Sequence, residues 1–138
     1  MSTIPDLPPA EFPLPHQSPN AVPAEGTVYR LTTGKLKLNA TASDNDWILP
    51  ISKSSGECTL PEANKRRECY GHSVFTELQE LLNAQKSIPW ARKKSISSVS
   101  LTCGWVESTP SSMGASHHDW WPEPLNHIPT ATCVSEKP

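Results

Sequence analysis

Two rhythms of apolar residues organise this chain. The stretch "KKSISSVSLTCGWVEST" alternates: Val99, Leu101 and Cys103 share one side at period two, and Ser98, Ser100 and Thr102 share the other. That alternation predicts a strand, with Gly104 as the place where it bulges or ends. The stretch "HSVFTELQELLNAQKS" follows a helical rhythm. Val74, Leu78, Leu81 and Leu82 fall at i, i+4, i+7 and i+8, with Phe75 beside them. One face of an α-helix has that spacing. Ser73 is placed to cap its start, Glu77 and Glu80 lie toward its N-terminal half, and Lys86 lies near its end, an order that complements the helix dipole. Pro89 stops it.

Elsewhere the pattern is shorter. Val28 to Leu31 is β-branched and aromatic between Gly26 and "TTGK", which predicts a first strand and a turn near Gly34. Leu36 and Leu38 alternate with lysines, as in a short second strand of a hairpin. In "TASDNDWILPIS" a turn precedes Trp47, Ile48, Leu49 and Ile51, a buried anchor around Pro50. Residues 52–68 carry turn formers and charge and read as a surface loop. No internal repeat is visible. The elements predict an α+β fold: a few-stranded, mostly antiparallel sheet packed on one main helix.

Composition divides the chain further. Prolines number 15 of 138, and seven of them fall between Pro5 and Pro23. Repeated fixing of φ and loss of donors make residues 1–25 a Pro-rich, flexible, extended leader. Residues 26–128 form the domain, and residues 129–138 a polar C-terminal tail. With 36% apolar residues the chain supports one modest core. The net charge of −2 supplies no general field for nucleic acid. The basic runs Lys65-Arg66-Arg67 and Arg92-Lys93-Lys94 read as solvated segments or strand-edge gatekeepers, each able to touch a phosphate. The N-terminus lacks a basic region followed by an apolar one, and no stretch has the length of a membrane span, so the expectation is a cytoplasmic protein with no membrane role. Cys58, Cys69, Cys103 and Cys133 are then free thiols; in an exported protein they allow three pairings. Asn39-Ala-Thr41 matches a glycosylation acceptor only in that exported case.

The densest chemistry lies in "SHHDWWPEP". His117 or His118 beside Asp119 offers a base and a carboxylate, with Arg30 as the cation of the same candidate catalytic set. Neighbours on a strand point to opposite faces, however, and a nucleophile must come from elsewhere, from Cys69, Ser73 or Cys103. Trp120 and Trp121 are candidate partner-binding residues; the competing reading is an ordered aromatic corner of the core. Cys69-x-x-His72 has a ligand spacing that Cys58, Cys103, His117 or His118 can complete, but no second matching pair exists, so no metal site is assigned and zinc stays an alternative. Arg30 sits between apolar residues and needs a partner, either an anionic ligand or an internal carboxylate such as Asp46 or Asp119.

Taken in order, "VYRL", "SDNDWI", "GHSVFTELQELL", "PWARKKSISSVSL" and "HHDWWPEP" resemble the layout of small uncharacterised bacterial proteins across residues 27–122. The layout is similar, more distantly, to ADP-ribosyltransferase-like domains. That resemblance implies a cleft that binds NAD, with Arg30 holding the dinucleotide and Glu107 or Glu123 as the late acidic residue. Two departures are plain: no Glu-x-Glu is present, and residues 95–100 lack a Ser-Thr-Ser. The first functional expectation is a small cytoplasmic domain, encoded by a bacterium or a mobile element, that binds a protein partner and needs no cofactor. The second is a small enzyme acting on a nucleotide such as NAD.

Overall fold

The computed structural model describes residues 20–42, 44–47, 71–123 and 127–138. Among the described residues seven strands build one sheet: β1 Val22–Pro23, β2 Gly26–Thr33, β3 His72–Phe75, β4 Lys94–Leu101, β5 Trp105–Ser108, β6 His117–Trp121 and β7 Ala131–Ser135. Their spatial order is β1-β5-β6-β3-β2-β4-β7, and every neighbouring pair is antiparallel. β3 and β4 both flank β2 and therefore run parallel to each other. Parallel strands need a crossover connection, and helix α1, Leu78–Ser87, supplies it.

Period-two alternation assigns the two sheet faces. On one face Val28, Val74, Val99, Leu101, Trp120 and Ala131 pack with Trp47, which sits on a 3-10 turn, Asp44–Trp47. On the other, Phe75 and Ile96 meet Leu81 of α1, with Tyr29, Leu31, Leu78, Leu82 and Met113 around them. The α+β class holds, but the sheet has more strands than the alternation alone predicts, because strands of two to five residues show too few periods to register.

β2 and β4 match their sequence signals and pair along their full length, from Gly26↔Leu101 to Thr33↔Lys94. The serines of β4 are tolerated inside because they are satisfied. Thr32 Oγ1 lies 2.7 Å from Ser95 Oγ and 2.9 Å from Ser97 Oγ, and Ser95 Oγ donates to the Thr33 carbonyl at 2.8 Å.

Four expectations are corrected. The helix does not begin at Ser73: His72–Phe75 is strand β3, and α1 starts at Leu78 with Glu77 as its cap residue. β3 lies between β2 and β6 with Val74 buried on one face and Phe75 on the other, so this adjacent apolar pair shows no strand alternation and merges with the helical spacing that follows. Leu36 and Leu38 form no strand; the chain turns there, with Asn39 at φ 71°, and residues 39–42 run along the outer edge of β7. Within the expected polar tail, Ala131–Ser135 is β7, with Ala131 and Cys133 buried against β4. Small, weakly apolar residues carry little signal until a neighbouring strand covers them. Within the expected leader, Val22–Pro23 pairs with β5 and Ala24 is buried, while residues 1–19 lie outside the described residues. Proline suits this edge position, where no ladder donor is required of it. Ile48, Leu49, Ile51 and the expected loop 52–68 also lie outside the described residues.

Gly104 separates β4 from β5 at φ +85°, and a Cβ there would collide with the backbone of Trp121 and Pro122. Gly104→Ala is expected to cost roughly 1–3 kcal/mol through left-handed strain and overpacking. Thermal unfolding of the variant beside Gly26→Ala, which meets no atom within 4 Å, separates the clash from the strain that both positions share.

Candidate functional site

β2 and β3 share one registered pair, Tyr29↔Phe75, although β2 is eight residues long. Beyond that pair Arg30 bridges the two strands. It follows Val28 onto the Trp47 face, where its guanidinium carbon lies 4.8 Å from the ring centroid. Nη1 donates to the Ser73 carbonyl at 2.8 Å and Nε to the Asp46 carbonyl at 3.0 Å. Asp46 is fixed in turn, its Oδ1 accepting the Thr33 N–H at 2.9 Å. Trp47 is held edge-on by His72 and Trp120 at 5.2 and 5.8 Å between centroids.

The side chain as a whole keeps intermediate exposure, but its head group is largely withdrawn from water. Burial pushes the guanidinium down from its ordinary value to about 10, against the opposing pull of the Asp46 charge. It remains protonated at neutral pH. Of the internal carboxylates considered as partners, Asp46 acts through its field and its backbone carbonyl, and Asp119 projects from the opposite sheet face. Among the described residues no carboxylate lies within ion-pair distance of Arg30.

A cleft of about 430 Å³ opens beside this bridge. Arg30, Phe75, Trp90, Lys94, Met113 and His117 line it, with the hydroxyls of Ser73, Ser111 and Ser112. Its far wall, the loop between β5 and β6, is tied to α1. The Glu80 carboxylate accepts from the Ser116 N–H at 3.1 Å and from Ser116 Oγ at 2.7 Å, and the Glu77 N–H donates to Ser116 Oγ at 3.1 Å. The wall is thus organised before any ligand arrives.

The expected catalytic set divides. Arg30 and His117 line the cleft, and His118 and Asp119 do not. Register explains the split: His117 pairs with Phe75 on the helix side, and His118 pairs with Val74 on the tryptophan side. His117 Nδ1 lies 2.7 Å from the Thr109 carbonyl, which can only accept, so Nδ1 carries the proton. His118 Nδ1 donates likewise to the Ser116 carbonyl at 2.7 Å. Of the late acidic residues, Glu107 pairs with Asp119 across β5 and β6, and Glu123 accepts from Trp105 Nε1 at 2.8 Å; neither lines the cleft.

The partner-contact expectation for Trp120 and Trp121 is corrected. They are 1% and 2% exposed, and Trp120 Nε1 donates to the Cys103 carbonyl at 2.9 Å. With few other large residues available, the core takes both. The exposed indole is Trp90, at 54%. Sequence reasoning passed over it, although its place between the helix-ending Pro89 and a basic run sets it in a turn. Within that run Arg92 is spoken for: Nε and Nη2 both donate to the Lys86 carbonyl near the end of α1.

Cys103 and Cys133 are free thiols, and Cys58 and Cys69 lie outside the described residues. Among the described residues no group of three His, Cys, Asp or Glu side chains is placed to hold a metal, and no helix is long and apolar enough to cross a membrane.

Fold and site together define an α+β domain with a cationic, aromatic-walled cleft at the splayed end of two central strands. Comparison with protein-family models, curated proteins and solved structures finds no match to this chain.

Proposed function

We propose that this chain is a binding module that grips a protein partner through the cleft between β2 and β3. The observation that carries this reading is Trp90, 54% exposed on the wall of an organised cleft. Tryptophan is enriched among residues that dominate binding energy, because it buries a large area at small entropic cost. An enzyme acting on a nucleotide such as NAD draws support from Arg30 in the same cleft. It is the weaker reading, because His118, Asp119, Glu107 and Glu123 do not line that cleft.

Site-specific photo-crosslinking in the native host tests the proposal. A photoreactive residue at position 90 is expected to trap one discrete protein, and the same residue at Asn83, exposed on α1, is expected to trap none. Trp90→Ala should lower capture of that protein by about 10-fold or more, the usual effect of removing a hot-spot indole. Equal yields from positions 90 and 83 would remove the proposal.

A further inference from the structure

We infer that the cleft selects an acidic side chain of the partner: an aspartate or glutamate in an extended segment enters the cleft that Arg30 and Lys94 line, and an apolar neighbour packs on Phe75, Met113 and Trp90. The inference rests on the binding-module reading and names the chemistry of the occupant.

Three observations lead to it. First, the cleft runs against the charge of the chain. The protein carries a net charge of −2, yet among the described residues that line the cleft there are two full cations and no carboxylate. Second, the cations stand ready. Arg30 is clamped by two carbonyl oxygens and an indole face, which engage Nε and one N–H of Nη1 and leave the second N–H of Nη1 and both of Nη2 with no hydrogen-bond partner among the described residues. Lys94 is half-buried on the helix side of β4 and forms no ion pair among the described residues. A desolvated guanidinium that forms no ion pair, its Asp46 counter-charge acting only through its field, is costly, and an arriving anion offsets that cost. Third, the remaining surface is apolar and aromatic, which suits a side chain beside the carboxylate.

The cation count favours a carboxylate over a phosphoryl dianion: the described lining offers two full cations, Arg30 and Lys94. Arg92, which could have added a third cation, is committed to the Lys86 carbonyl. An overall negative chain also disfavours a nucleic-acid backbone.

The test is a selection of short random peptides on the full-length protein, followed by affinity measurements on the peptides recovered. The expected pool is enriched in Asp or Glu next to an aromatic or branched apolar residue. Replacing that acid by its amide should weaken binding by about 10-fold or more, the usual effect of losing a hydrogen bond to a charged group. Lys94→Gln should weaken the acidic peptide and flatten its salt dependence, while leaving the amide peptide unchanged. Arg30→Lys, checked for fold by thermal melting, should weaken it further; if that variant does not fold, Lys94→Gln carries the test. A pool without acidic enrichment, or an unchanged affinity in Lys94→Gln, overturns the inference. So does displacement of the peptide by inorganic phosphate or AMP at concentrations where acetate has no effect. Crosslinking at position 90 distinguishes the two failures: a trapped protein with no acidic preference sinks only this inference, and no trapped protein sinks the binding module itself.

Discussion

Trp120→Ala is expected to lose about 3–5 kcal/mol of folding stability, the largest single loss anticipated in this chain. Trp120 stands on β6 between β5 and β3, opposite Val106 and His72, and is 1% exposed. Its removal opens a void against Trp47 and His72 and strips the Cys103 carbonyl of its donor. Domains of this size are stable by about 5–15 kcal/mol, so the variant should stand near the edge of folding. Urea unfolding followed by far-UV circular dichroism should show a lower midpoint with an unchanged slope. A loss below about 1 kcal/mol would contradict the burial. The effect reaches the site as well. Trp47 leans on Trp120, and Arg30 stacks on Trp47. A folded Trp120→Ala protein at low temperature should therefore bind acidic peptides more weakly, although Trp120 does not line the cleft.

Leu81→Ala should cost about 2–5 kcal/mol. Leu81 is 0% exposed and joins α1 to Phe75 of β3 and Ile96 of β4. A helix of ten residues is marginal alone, so α1 holds its place through this contact more than through its own propensity. Because α1 is the crossover between β3 and β4, and its Glu80 ties down the cleft wall, loosening it should also raise hydrogen exchange in the loop from Thr109 to Ser116. Leu82→Ala, half-exposed on the same helix, is the control and should cost clearly less. Equal losses from the two would mean that the helix faces the sheet differently.

These two residues differ in how readily the sequence discloses them. Leu81 lies within a helical repeat, and its neighbours at i−3 and i+1 are enough to mark it as inward-facing. Trp120 sits in "HHDWWPEP", where core and contact surface are equally compatible with the local pattern; only the strands on either side resolve it. The same holds for the polar cluster around it. His117, His118 and Asp119 are adjacent in the chain, which invites a catalytic grouping, yet pleating sends them to alternate faces.

What the sequence by itself determined is therefore local. The long strands β2 and β4, the body of α1, its stop at Pro89 and the break at Gly104 all follow from periodicity and backbone preference among near neighbours. The tertiary structure decided the rest. The short strands β1, β3, β5, β6 and β7 exist because each borrows hydrogen-bond partners from another strand. Arg30 becomes the cation of the cleft through Ser73, 43 residues away, and through the Asp46–Trp47 turn, 16 residues away from it. Trp90 is exposed, and Trp120 and Trp121 are hidden, by where the strands fall in the sheet. Periodicity is a property of residues a few positions apart, whereas burial, charge compensation and cleft geometry arise from partners that the chain brings together only when it folds.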